Sequence, residues 1–242
     1  MPQPERFWNA RLQLHWAAQA VAGVGRTLLA QRPDDSQTSF TWSDGALMQE
    51  EVDGKRAGLR MEDLTLLVGA DSFPMHGHTL DDGFAFLESH FGRRLNRSSV
   101  DLPDHPVAHG ARFDAEPADC LPLAKLYAEA DSLLRSIEGG SPVRCWPHHF
   151  DIATLIDLGD SRTIGAGLTP GEEWYHEPYW YVTPWPYPEP SVLAALPIGH
   201  WHTERWTGAV LLASEGRNPR AFVEEAVARC RQLLGSKPLS SL

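Results

Sequence analysis

Residues 38–69, TSFTWSDGALMQEEVDGKRAGLRMEDLTLLVG, decide the fold class. Three β-rich runs stand in this stretch: Thr38–Trp42, Gly45–Val52 and Leu64–Val68. Ser43-Asp44-Gly45 and Asp53-Gly54 between them are turn chemistry, because Asp and Gly tolerate the left-handed backbone that tight hairpins require. No helix-length segment separates the runs. The spacing therefore predicts an antiparallel meander and not βαβ units.

Helical patterns lie on either side. Upstream, Leu14, Ala18, Val21 and Leu28 keep one face apolar over about Glu5 to Gln31. Gly23 and Gly25 weaken the middle of that helix, and Pro33 ends it. Downstream, Thr79 with Asp82 three residues later opens a helix carrying Leu80, Phe84, Leu87 and Phe91, which Gly92 closes. Residues 93–117 read as a long loop. A further helix carries Leu123, Leu126, Tyr127, Ala130, Leu133, Leu134 and Ile137, and Gly139-Gly140 stops it. A strand is expected over about Val143 to Leu158. The last helix has Asn218 as N-cap, Pro219 in its first turn, an apolar stripe from Phe222 to Leu234, and Gly235 beyond. This order predicts an α+β fold: a largely antiparallel sheet covered by helices, in a single domain of residues 1–242.

Composition narrows the function classes. The chain has 32 acidic and 21 basic residues, a net charge of -11 that repels phosphate backbones and anionic membranes. No run approaches the roughly 20 apolar residues of a bilayer span. The alanine-rich run Trp16–Val24 is too interrupted to read as a targeting segment, so the expectation is a cytoplasmic protein with no nucleic-acid or membrane partner. The cysteines Cys120, Cys145 and Cys230 form no CxxC pair, and Cys120 and Cys230 read as small buried apolar residues.

Several catalytic signatures are missing: no GxSxG elbow, no Walker loop, no HExxH. Gly23-Val24-Gly25 lacks the third glycine of a dinucleotide fingerprint and lies inside a helical pattern. Two HxH pairs, His76-Gly77-His78 and His200-Trp201-His202, would each place two imidazoles on one face of a strand. Zinc needs a third ligand that spacing does not supply. The expectation is no metal and no cofactor, a histidine-ligated metalloprotein being one alternative reading.

Polar residues on apolar elements are the better leads. His15 and Gln19, four apart, project from the same side of the first helix and need hydrogen-bond partners if buried. In the strand from His148 onward, His149 and Asp151 would share one face, where a carboxylate orients an imidazole. Residues 174–206 hold five tryptophans (Trp174, Trp180, Trp185, Trp201, Trp206) and four tyrosines (Tyr175, Tyr179, Tyr181, Tyr187). The interleaved prolines 178, 184, 186, 188 and 190 make this segment extended and argue against a central strand. Its rings would serve as core packing, a ligand platform or a dimer interface. His176-Glu177 sets a base and an acid at its start.

The chain resembles a family of bacterial proteins, typically somewhat longer, known only as a domain of unknown function. The likeness rests on Leu14-His15…Gln19…Val21, Ser141-Pro142-Val143 leading to Phe150-Asp151, His176-Glu177 and Tyr187-Pro188-Glu189-Pro190, with His78…Leu80 a weaker match. The resemblance implies no activity. It implies that His15, Gln19, Asp151, His176 and Glu177 belong to the common pattern. The chain departs from that pattern at His148-His149, where small residues are expected, and at Arg144, where histidine is expected.

These readings lead to a small-molecule-binding protein, whose being an enzyme stays open, with ligand-binding candidates His15, Gln19, Asp151, His176, Glu177 and Tyr187. Acid–base chemistry would use His15 or His176 as base and Asp151 or Glu177 as its orienter. His15, Asp151 and one of His176 and Glu177 are expected to line one cavity with the aromatic rings. The rival is a non-catalytic interaction protein, a homodimer through the aromatic segment.

Overall fold

The computed structural model describes residues 4–98, 102–172 and 174–235. It has four helices and two antiparallel sheets among these residues, the α+β class expected. Its contacts cluster into two compact units. The first comprises 1–129 and 144–150, and the second 130–143 and 151–242. The chain thus crosses between them three times.

In the first unit the meander is longer than expected. β1 (Thr41–Ser43), β2 (Ala46–Met48), β3 (Ala57–Arg60), β4 (Thr65–Val68) and β5 (Asp71–Pro74) pair antiparallel in chain order. Asp44 and Gly45 both take positive φ, as do Asp53 and Gly54, so both turn sequences act as read. β6 (Arg144–Trp146) joins Phe40 through an antiparallel bridge at Cys145.

α1 (Pro4–Leu28) is buried on nearly every face from Ala10 to Gly25. Its glycines are explained by what approaches it. A Cβ on Gly25 would lie 2.0 Å from the Gln37 carbonyl oxygen, and one on Gly23 would lie 3.0 Å from that of Asn96. Two loop backbones therefore run against the helix where it has no side chain, and helix propensity yields to packing. The loop from 93 onward follows the same helix: Trp16 donates to the Pro103 carbonyl, and Gln13 accepts from the backbone of Asp114 and Ala115. Within it lies one short turn of 3-10 helix, Pro106–His109, and residues 99–101 fall outside the described residues. α2 (Leu80–Phe91) has the expected capping box of Thr79 and Asp82 and ends at Gly92 with φ +65°.

α3 (Pro117–Leu134) starts before the predicted apolar period and carries Pro122 inside it. In the second unit β7 (Asp151–Gly159), β8 (Arg162–Thr169), β9 (Tyr179–Trp185), β10 (His200–His202) and β11 (Gly208–Leu212) run in the order β10-β11-β9-β8-β7. α4 (Pro219–Leu233) packs Phe222, Val223, Ala226, Val227 and Cys230 inward, with Asn218 capping two backbone amides. Cys120 and Cys230 are buried thiols whose pKa values burial pushes up to about 12, in keeping with an apolar role.

Two expectations need correction. β9 is a central strand, flanked by β8 and β11, despite Pro184. Its pairing with β11 stops at Val182, so at Pro184 only one neighbour remains and the missing N–H matters less. The strand predicted over Val143 to Leu158 is two strands separated by a turn. Phe150 takes φ +55°, and its amide bonds back to the Trp146 carbonyl at 2.7 Å. That residue breaks the alternation which would have put His149 and Asp151 on one face.

Gly25→Ala weighs two opposed effects. Alanine would gain about 1 kcal/mol of helix propensity. The overlap with Gln37 forces backbone to move at a cost of about 1–3 kcal/mol, more when the shift is large. We expect a net loss of stability, read as a lower denaturation midpoint in urea; an unchanged or higher midpoint would mean the Gln37 segment does not hold that position. Phe222→Ala, at a side chain 1% exposed, should lose about 3–5 kcal/mol in the same assay.

Candidate functional site

The polar residues of α1 form a buried stripe. His15, Gln19 and Arg26 follow at spacings of four and seven, which keeps them on one side of the helix. His15 Nε2 lies 2.8 Å from the Pro147 carbonyl oxygen, and Gln19 Nε2 donates to the same oxygen at 2.5 Å. A carbonyl has two lone pairs, so both donors are accommodated. Gln19 in turn accepts from Arg26: Nη1 reaches its side-chain oxygen at 3.4 Å and Nη2 its backbone oxygen at 3.0 Å.

The turn carrying Pro147 is held from its other side by Phe150. That ring stacks on His15 at 4.9 Å with 9° between planes, and the Tyr127 hydroxyl donates to the Phe150 carbonyl. A non-glycine residue in the left-handed region costs about 1–3 kcal/mol, here offset by the stack and the hydrogen bond. His15 is 2% exposed, and burial lowers its pKa to about 3, aided by the charges of Arg11, His149 and His148 and opposed by the Pro147 bond. Neutral His15 therefore carries its proton on Nε2, facing the carbonyl.

Beside this stripe opens a cleft of about 750 Å³, in the size range of small-molecule sites. Gln19, Arg26, Thr38, Asn96, Pro147 and the exposed His148 and His149 are among the residues that line it. Asp34 and Asp35 also line it, but each turns to its own turn. Asp34 accepts from the Ser36 amide at 3.1 Å, and Asp35 accepts from Gln37 at 3.3 Å. Hydrogen bonds from Ser36 hold the Asp34 carboxyl below its usual range.

Arg26, like Arg56, Arg112, Arg144 and Arg231, donates to neutral acceptors. Arg32, Arg60, Arg97, Arg135, Arg162, Arg220 and Arg229 each pair with a carboxylate, whereas Arg26 pairs with none among the described residues. Its Nε is buried without a partner there, and burial pulls its pKa down. A half-buried cation with only neutral acceptors invites an anion.

Of the six candidates read from the sequence, Gln19 lines this cleft, and His15 supports it from behind through Pro147. The other four belong to the second unit. Asp151 accepts from the Tyr181 hydroxyl at 2.5 Å. Tyr181 reaches it across β8, where opposite Gly167 lacks a side chain; a Cβ there would lie 2.6 Å from the tyrosine oxygen. Burial, then Asp151, raises the Tyr181 phenol well above its ordinary range, so it remains a donor. Glu177 accepts from the backbone amide and hydroxyl of Ser214, both at 2.9 Å. His176 is exposed, and Tyr187 is exposed with its ring edge-on to Trp185 at 5.0 Å. Arg26 escaped the sequence reading, although continuing the His15–Gln19 spacing by two turns would have found it.

Comparison with known protein families, curated proteins and solved structures finds no match to this chain. No helix among the described residues is long and apolar enough to cross a membrane.

The His15 pKa has a measurable consequence. Because its folded value of about 3 lies below the ordinary 6.5, the unfolded chain binds the proton more tightly. The associated stability is complete above pH 6.5 and is lost as pH falls toward 3, by up to about 1.4 kcal/mol per pH unit. In denaturant titrations from pH 7 to 4.5, wild type should lose stability more steeply than His15→Asn. Parallel curves would show that His15 is not held neutral.

Proposed function

We propose that the first unit binds a small polar molecule through a carboxylate or phosphate group, seated against Arg26 in the α1 cleft. The observation that carries this reading is the half-buried guanidinium lining the cleft with no carboxylate partner among the described residues. The chain bears a net charge of -11 and Asp34 and Asp35 line the same cleft, so an anion gains there only by direct contact with the guanidinium. Gln19 fixes the guanidinium on one side, so its orientation is set before a ligand arrives. Thr38 and Asn96 offer hydroxyl and amide groups to the rest of the molecule, and Asp34 and Asp35 offer acceptors to ligand hydroxyls or amines. His148 and His149 in the lining would let an enzyme of this design move protons, but binding is the function proposed.

Calorimetric titration with acetate, succinate, inorganic phosphate and glycerol phosphate tests it. At least one should bind saturably with one site per chain. Arg26→Met should weaken that binding about 10- to 100-fold, the worth of one charge-assisted contact of roughly 1.5–3 kcal/mol. Arg229→Met, which removes a surface cation paired with Glu225, should leave it unchanged. Equal loss in both variants, or no saturable binding by any of the four, would count against the reading.

A further inference from the structure

The second unit brings three metal-ligating atoms together that the sequence spacing did not. The Tyr175 hydroxyl oxygen lies 2.9 Å from His200 Nε2 and 3.1 Å from His202 Nδ1. The two histidines occupy alternate positions of β10, so both rings stand on one face of that edge strand. Tyr175 comes from the segment before β9, 25 residues upstream of His200.

The geometry points to a divalent transition-metal site formed by Tyr175, His200 and His202. Ligands about 2.1 Å from an ion lie about 3.0 Å apart at right angles and about 3.4 Å apart in a tetrahedron, and the tyrosine oxygen, 2.9 and 3.1 Å from the two nitrogens, is within about half an ångström of either.

The surroundings resemble those of a metal ligand set. His202 Nε2 donates to the Glu204 carbonyl at 2.8 Å, which fixes the tautomer and leaves Nδ1 as a lone pair facing Tyr175. The His202 ring is clamped, stacked on Trp206 at 4.3 Å and met edge-on by Trp174 at 5.7 Å. His202 is buried while His200 is exposed, so the site has a fixed inner ligand and an open outer side for entry.

Among the described residues no three of His, Cys, Asp and Glu converge on a metal position, so the phenol is what completes the set. Two imidazoles and a phenolate suit the late first-row ions, with Cu²⁺ bound most tightly and Zn²⁺ among those accepted. Coordination of the phenolate breaks the Tyr175 O–H bond and passes the proton to solvent. Metal binding should therefore release about one proton and tighten as pH rises.

The test is Zn²⁺ titration of the full chain by calorimetry in two buffers of different ionisation enthalpy. Co²⁺ serves as a spectroscopic probe of ligand number. One equivalent of Zn²⁺ should bind with release of a proton. Tyr175→Phe should weaken it at least 10-fold and abolish the proton release, and His200→Asn should weaken it at least 100-fold. His200 is exposed and its replacement leaves the buried His202 cluster intact, so both variants should fold. His76→Asn, in the other HxH pair, should change nothing; its Nδ1 lies 3.3 Å from the Ala115 carbonyl. Equal affinity in wild type and Tyr175→Phe, sensitivity to His76→Asn, or no stoichiometric Zn²⁺ uptake would each overturn the assignment.

Discussion

One backbone oxygen organises the first unit. The Pro147 carbonyl accepts from both His15 and Gln19, tying the buried helix α1 to the turn between β6 and Phe150. An unsatisfied carbonyl buried beside α1 would cost about 1–3 kcal/mol, and so would each unpaired polar side chain on the helix. Bringing the three together gives the carbonyl two donors and gives His15 Nε2 and Gln19 Nε2 an acceptor each. Phe150 stacks on His15 beside this contact, and Gln19 also accepts from Arg26.

The fold class was legible because its determinants are local. Asp44-Gly45 and Asp53-Gly54 are turn residues wherever they occur, and the Thr79–Asp82 and Asn218–Pro219 caps satisfy helix ends by short-range bonds. The misreadings came where a distant contact overrode a local rule. Phe150 adopts a backbone that few phenylalanines tolerate, because His15 and Tyr127 hold it there. Pro184 enters a central strand because its partner strand on one side ends two residues earlier. Gly23 and Gly25, which weaken the helix on propensity, are the positions where the Asn96 and Gln37 backbones approach it.

The candidate residues were legible as polar exceptions on apolar elements. His15 and Gln19 proved to be neighbours with a shared partner, as their spacing required. Asp151 accepts from Tyr181 and Glu177 from Ser214, both within the second unit. Their grouping depends on which strands pair, and no pattern within a segment carries that. Tyr175 illustrates the point: nothing in His200-Trp201-His202 announces a phenol 25 residues away, yet β10 and the segment before β9 place it between the two rings.

The central claim, that Arg26 is an anion anchor and not merely a satisfied helix residue, is tested most directly by NMR of the arginine side chains. The Nε–H resonance of Arg26, assigned by its loss in Arg26→Lys, should shift and saturate as succinate or inorganic phosphate is added. The resonances of the paired arginines Arg60 and Arg229 should stay in place. An Arg26 signal unmoved at anion concentrations that shift the surface arginines would contradict the account.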